Sequence, residues 1–305
     1  MRVVSLLASG TEIICALGAG QTLVGRSHEC DNPDWVRSLP ACTRPAFDVD
    51  RSSREIDAEV RRRLTTGEPL YCVDAELIDS LQPDILITQI HCDVCAVTPD
   101  DVERCGTSAS AARVVSLSAG TVAGIYDSVR RIATAVQRSR AGEALVCEMQ
   151  ARIDAISAAV ADARRPTVAV LEWTDPIFAS GNWVPELVDA AGGTPLPRLD
   201  SGRSSAVPSQ QVMDWDPDYL IVAPCGFDLD RTLQEIPVLE RLPDWFELAA
   251  VKNGRVALAD GNRYFNRAGT TIVETVQIIA EILHGDRDRP YWRDKAWYDY
   301  QPASR

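Results

Sequence analysis

Short apolar runs alternate with amphipathic stretches through the first ~118 residues, the signature of strands interleaved with helices. Residues 2–7 and 23–26 read as strands, and between them residues 11–17 read as a short helix ending at Gly18 and Gly20. Ser52 or Ser53 offers an N-cap, with Glu55 in the first turn, for a helix through about Leu64. Residues 70–73 are strand-like, Asp74 caps a helix over 75–81, and residues 84–88 form another strand. Thr98-Pro99-Asp100-Asp101 opens a further helix, with proline at the first helical position, where its missing N–H costs nothing. Residues 113–117 close the series. Strands this apolar, alternating with helices, predict a parallel sheet covered on both faces.

A long helical region follows. Residues 126–136 carry apolar side chains at helical spacing, and Ser139 caps a segment over 140–163 that would be about 36 Å long at ~1.5 Å per residue. Its stripe is Leu145, Met149, Ile153, Ile156 and Val160, and Pro166 ends it. A second alternating series then begins: a strand at 167–171, helices at 184–191 and 209–214, and a strand at 219–223. Asp230 caps a helix over 231–236 that stops at Pro237; a strand at 255–258 and a helix at 271–283 complete the series. In both halves a helix ends at Pro-Asp, Pro83-Asp84 and Pro217-Asp218, and drops directly into an apolar strand. The expected architecture is α/β, with two Rossmann-like lobes joined by a single long α-helix. The lobes span 1–120 and 166–285, the linking helical segment 121–165, and a charged, aromatic tail 286–305. That tail either caps a surface, mediates a homodimer or remains loosely ordered.

Composition narrows the partners. The 305 residues carry a net charge of −13, which argues against nucleic acid or an anionic membrane, because both reward clustered Lys and Arg. No run approaches the ~20 apolar residues of a membrane span. Met1 leads straight into the first strand, and Ser5, Ser9, Gly10 and Glu12 break the apolar run that an export signal needs, so a cytoplasmic protein is expected. Nine cysteines without regular spacing fit reduced thiols in that compartment.

Several stretches resemble one family. Val4-Ser5-Leu6-Leu7-Ala8-Ser9-Gly10-Thr11-Glu12-Ile13, followed by Ala16-Leu17-Gly18 and Leu23-Val24-Gly25, resembles the opening of ABC-importer substrate-binding proteins of the cobalamin and siderophore class. Glu76-Leu77-Ile78 before Pro83-Asp84 is similar to that family's first-lobe helix. Glu186-Leu187-Val188-Asp189-Ala190-Ala191-Gly192-Gly193 and Ala250-Val251-Lys252-Asn253-Gly254-Arg255-Val256 resemble its second lobe. The likeness covers about 1–285 and is greatest to the cobalamin-binding branch. It implies the class III periplasmic binding protein fold, a small-molecule ligand held between two lobes, and cobalamin or a related corrinoid as that ligand. Exported members dock on a membrane permease through one acidic residue per lobe. Glu76 resembles the first, but Gln210 stands near the second position, and a neutral amide lacks the charge for an arginine partner. Permease docking is therefore doubtful.

In open α/β sheets, ligands are met by loops at the carboxyl ends of strands. Glu12, His28, Glu29, Cys30, Arg44, Gln89, His91 and Cys92 fall there in the first half, and Trp173, Trp183, Cys225, Asn262, Tyr264 and Asn266 in the second. Imidazole and thiolate suit transition metals, so His28, Cys30, His91, Cys92 and Cys95 form a candidate site for a metal such as zinc. The same groups would serve a metal chelate, or pack as ordinary loop and core residues. Aromatic rings match the apolar faces of a flat macrocycle, and also belong in lobe cores. A cysteine beside a histidine is also the start of a nucleophilic site, yet the chain has no nucleophile elbow, phosphate loop or dinucleotide fingerprint. A non-catalytic binding protein is the expectation. A cytoplasmic metal binder and a small-molecule enzyme are the alternatives.

Overall fold

The computed structural model describes residues 1–90, 94, 96–104, 112–197, 202–285 and 290–302. The chain forms two compact α/β units, Met1–Met149 and Gln150–Arg305.

In the first unit the order is β1 (Val3–Ser5), α1 (Ala8–Ala16), β2 (Leu23–Arg26), β3 (Thr43–Pro45), α2 (Ser53–Thr66) and β4 (Tyr71–Val73). Then come α3 (Ala75–Leu81), β5 (Ile85–Gln89), α4 (Pro99–Arg104), β6 (Arg113–Leu117) and α5 (Val122–Ala135). The sheet runs β2-β1-β5-β6 and is parallel throughout. All five residues of β5 are buried, as expected for a strand covered on both faces. Val4, Leu6, Ile78, Leu86, Val97 and Val102 form one core of this unit. Strands β3 and β4 pair antiparallel as a separate ribbon. At α2 the Ser52 side chain accepts from the Glu55 N–H while Glu55 reaches back to Ser52, a capping box worth about 1 kcal/mol. The helix stops at Gly67, whose φ of 73° is left-handed and suits glycine.

Helix α6 (Ser139–Ala159) carries the chain across the division and is shorter than expected, 21 residues or about 30 Å. Its final turns tighten to three-residue spacing, with the N–H groups of Ala161 and Ala163 bonding the carbonyls of Ala158 and Val160, so the regular helix closes before Pro166.

The second unit follows as β7 (Thr167–Thr174), β8 (Ile177–Ala179), α7 (Val184–Ala190), β9 (Thr194–Leu196), β10 (Ser205–Ala206) and α8 (Ser209–Trp215). It continues with β11 (Tyr219–Val222), α9 (Leu229–Leu233), α10 (Ile236–Leu239), α11 (Ala249–Lys252), β12 (Val256–Ala259), α12 (Ile272–His284) and β13 (Trp297–Asp299). The seven-stranded sheet runs β10-β8-β7-β11-β12-β13, with β9 also on β7. Strands β7, β11 and β12 are its parallel centre; β8 and β13 run antiparallel.

Two expectations here change. Asp228, rather than Asp230, caps α9, accepting the Arg231 N–H at 2.8 Å, so the helix starts earlier and ends at Leu233. Pro237 does not stop a helix but lies in the first turn of α10, where a proline leaves no intrahelical bond unmade. The tail is built into the unit. Trp297–Asp299 adds a strand to β12, and the Glu281 carboxylate accepts from the backbone N–H groups of Tyr291, Trp292 and Arg293 and from the Trp297 indole.

The repeated Pro-Asp has a common structural reason. Asp84 accepts the backbone N–H of Arg2 at 2.7 Å, and Asp218 accepts that of Thr167 at 3.0 Å. In each unit this aspartate ties the entry of a central strand to the start of the unit's first strand. Both preceding helices end in a left-handed residue, Gln82 and Asp216.

Candidate functional site

In the first unit the carboxyl ends of β1, β2 and β5 converge. The Ser27 N–H bonds the Ser5 carbonyl at 2.8 Å and the Leu6 N–H bonds the Ile87 carbonyl at 2.9 Å, so the loops after these strands begin side by side. The 27–39 loop is braced by Arg26, whose guanidinium donates to the carbonyls of Ser27, His28, Arg37 and Leu39. His28 is held against Thr43. Its backbone N–H and its ring Nδ1 both meet the Thr43 hydroxyl, at 3.1 and 2.7 Å. The same hydroxyl also lies 3.2 Å from Ser27 Oγ; with its one proton directed there, Nδ1 is the donor and Nε2 the lone-pair nitrogen of the ring. Burial, and then the positive charge of Arg26, push the imidazole's pKa down to about 4, so it is neutral at ordinary pH. Tyr71 packs beside it, with ring centroids 5.6 Å apart. Among the described residues Nε2 has no hydrogen-bond partner.

The other first-unit candidates sit differently. Glu12 lies inside α1 at 3% exposure and accepts from the Asn32 amide at 3.1 Å. Glu29 is half-buried, its N–H donating to Ser27 Oγ. Cys30 is 1% exposed and packs with Ala8 and Val36, its sulfur accepting from the Thr11 hydroxyl at 3.0 Å. Gln89 is the buried last residue of β5, not a loop residue, and Arg44 is exposed on β3 opposite Cys72. His91, Cys92 and Cys95 lie outside the described residues. Among the described residues no three His, Cys, Asp or Glu side chains gather as a metal site.

In the second unit the carboxyl ends of β7, β11 and β12 carry an aromatic and ionic group. Trp173, half-buried near the end of β7, lies 5.0 Å from the ring of Phe227, which follows β11. Arg231 stacks over Phe227 at 4.1 Å and pairs with Glu235 at 2.5 Å. The other Glu235 oxygen accepts from the Thr174 hydroxyl. Cys225 is half-buried, its N–H on the Glu172 carbonyl at 2.9 Å. Trp183 is buried at the start of α7. Asn262, Tyr264 and Asn266 belong to a turn of π-helix over Gly261–Phe265 and its end. The Asn262 N–H bonds the Phe227 carbonyl, and the Asn266 amide donates to the carbonyls of Ala223 and Gly261. Tyr264 is buried edge-on against Trp292. Asp260 caps this turn, and burial raises its carboxyl above the usual range. A Cβ on Gly261 would sit 2.1 Å from the Pro224 carbonyl, so only glycine lets the two loops approach this closely.

Arg26, Arg231 and Glu235 escaped the sequence reading as site residues, whereas Phe227 belongs to the aromatic set expected on the strand-end loops. For Arg231 and Glu235 the only signal was positional, since both follow the Pro224-Cys225-Gly226-Phe227 loop within a few residues. The pairing of Thr43 with His28 spans 15 residues and needed the fold. Glu76 and Gln210 are both exposed on helices, and the Gln210 amide donates to Asp214 at 3.0 Å. No described helix is long and apolar enough to cross a membrane.

Two α/β units with chemistry-bearing residues on the loops after their parallel strands define a class of ligand-binding protein. The sequence profile of the periplasmic binding protein family matches residues 3–262, and the chain belongs to that family. Its fold is shared by the periplasmic heme-binding protein RhuT from Roseiflexus sp. RS-1, at 22% identity and a TM-score of 0.67, covering 92% of this chain and 98% of that one. A periplasmic heme-binding protein from Pseudomonas aeruginosa matches at 18% identity and a TM-score of 0.71, over 99% of both chains. The periplasmic vitamin B12 binding protein BtuF of Vibrio cholerae matches at 18% identity and 0.66, over 92% of this chain and 96% of that one. No curated protein sequence matches the chain.

Proposed function

We propose that this binding protein holds a metal chelate with a flat conjugated ring, a cobalamin-like corrinoid, and that His28 meets its metal. The observation that carries this reading is the state of His28. It is neutral, its Nδ1 is engaged by the Thr43 hydroxyl, and its Nε2 hydrogen-bonds no other described residue; in the tautomer with the proton on Nδ1, Nε2 offers the lone pair that a metal accepts. The tie to Thr43 would hold the ring in one orientation as the lone pair engages. The Trp173–Phe227 pair supplies apolar ring faces of the kind a macrocycle packs against. Relatives by fold described as heme-binding and as vitamin B12-binding support the same ligand chemistry. Cys30, buried and engaged by Thr11, fits a packing role better than that of a metal ligand. Binding alone makes up this reading, with no catalytic step. We place the protein in the cytoplasm, a proposal that the free thiols of Cys15, Cys30, Cys42, Cys72, Cys147 and Cys225 support and that fractionation of cells would check.

Titration of the purified protein with aquocobalamin, followed by the corrin absorption bands, tests the ligand. A nitrogen replacing the cobalt-bound water shifts those bands, and His28→Ala should abolish the shift. Unchanged spectra and an unchanged melting temperature with both aquocobalamin and hemin would overturn the reading.

A further inference from the structure

The buried carboxylate of Glu235 has no place in the binding step just described, yet its surroundings connect it to one of the candidate ligand residues. Its side chain is 3% exposed, and each oxygen has a different partner. One pairs with Arg231 Nη1 at 2.5 Å; the other accepts from the hydroxyl of Thr174, the residue after Trp173 on β7. A buried carboxylate is costly unless it is paired and hydrogen-bonded, and here both conditions are met.

Arg231 is held at its far end by this carboxylate. Its guanidinium carbon lies over the Phe227 ring, 4.1 Å from the centroid, and Phe227 in turn meets Trp173 at 5.0 Å with a tilt of 46°. Glu235 therefore reaches the Trp173 segment by two routes. One passes along the side chains of Arg231 and Phe227, the other through Thr174 to the backbone of β7. Arg231 keeps 23% of its side chain exposed, so water competes for the guanidinium and the pair with Glu235 biases it toward the Phe227 ring.

We propose that Glu235 is a positioning residue: by clamping Arg231 over Phe227 and holding Thr174, it fixes the Trp173–Phe227 pair as a rigid platform for the apolar face of a flat, conjugated ligand. This deepens the proposed function and rests on it for the identity of the ligand. The positioning itself does not need a ligand to be tested.

The experiment compares the near-ultraviolet circular dichroism of the protein with that of Trp173→Phe, which isolates the Trp173 contribution among seven tryptophans. Hemin affinity is then measured on the same samples. Glu235→Gln keeps the size and the ability to accept from Thr174 but removes the charge that grips Arg231. Arg231→Lys keeps a charge for Glu235 while losing the planar stack, and stands in if Glu235→Gln does not fold. Each change should remove most of the Trp173 band and weaken hemin binding about tenfold. The double change should be no worse than either single change, because both act through one contact chain. A Trp173 band that survives in both single variants overturns the positioning role, as does a double variant whose losses add. If the protein binds neither hemin nor aquocobalamin while the Trp173 band still depends on Glu235, the ligand reading fails and the positioning stands.

Discussion

Asp218 accepts two hydrogen bonds from Thr167, one from its backbone N–H at 3.0 Å and one from its hydroxyl at 3.3 Å. The contact joins the entry of β11 to the entry of β7, and the Thr167 N–H bond is the main cause holding the Asp218 carboxyl below its usual range. Asp218→Ala should cost about 2 kcal/mol, the worth of a charge-assisted pair on a half-buried strand entry. The sign with pH follows from the lowered value. Asp218 stabilises above the unfolded carboxyl's pKa, and that stability is lost as pH falls through the folded one. Denaturant melts at pH 7 and pH 3 should show the wild type losing more than Asp218→Asn does.

Glu281 gathers four N–H donors, three backbone groups at Tyr291–Arg293 and the Trp297 indole. Replacing it with alanine leaves those donors without their acceptor, at about 2–3 kcal/mol. The expected result is a lower melting temperature together with protease cleavage between residues 285 and 297. Glu281→Gln should fall between, since the amide oxygen still accepts while its nitrogen clashes with donors. A melting temperature unchanged in both variants would contradict this assignment.

His28 titrates near 4 when folded and near 6.5 when unfolded, so protonation favours the unfolded chain. The stability it contributes is complete above pH 6.5 and is lost as pH falls from 6.5 to 4. With allowance for its partial exposure the loss is about 1–2 kcal/mol. His28→Gln should flatten the wild-type decline between pH 7 and pH 4.5, read as the difference between the two melting curves. Thr43→Val should behave differently, raising the share of misoriented rings and weakening aquocobalamin binding at every pH.

Gly261→Ala would place a methyl group 2.1 Å from the Pro224 carbonyl, a backbone atom that cannot swing aside. The loops after β11 and β12 must separate, at a cost of about 3 kcal/mol or more. The measurement is ligand affinity alongside stability. Affinity for hemin should drop in this variant because Phe227 and Asn262 are carried by these two loops and share a backbone hydrogen bond.

Much of the fold was legible because its elements carry local chemistry. Asp74 and Ser52 are good caps at the starts of amphipathic runs, and α3 and β2 fall on the expected residues. The doubled Pro-Asp was visible as a pattern, and the structure supplies its cause in Asp84 and Asp218. The short strands β8, β9 and β10 were not legible. They have two or three residues each and take their shape from their neighbours, β8 and β9 from β7 and β10 from β8, not from their own periodicity. Asp228 and Asp230 are equally good caps by composition, and it is Asp228 that takes the Arg231 N–H in the structure. The candidate site shows the same division. His28 stood out as an unusual residue on a strand-end loop, whereas Gln89 and Cys30, equally conspicuous in sequence, are turned into the interior. Thr43 and Glu235 carry no motif at all, because their importance comes from side chains brought to them by distant strands.

Strand β13 has a consequence for solubility. It occupies the outer side of β12, pairing Ala257, Leu258 and Ala259 with Asp299, Tyr298 and Trp297. Without it, β12 would offer an open, apolar edge with a free row of N–H and C=O groups, the template on which strands of other chains add. The charged and aromatic C-terminal segment thus acts as an internal guard against self-association. A chain shortened before Trp297 should aggregate at concentrations where the full chain stays dispersed.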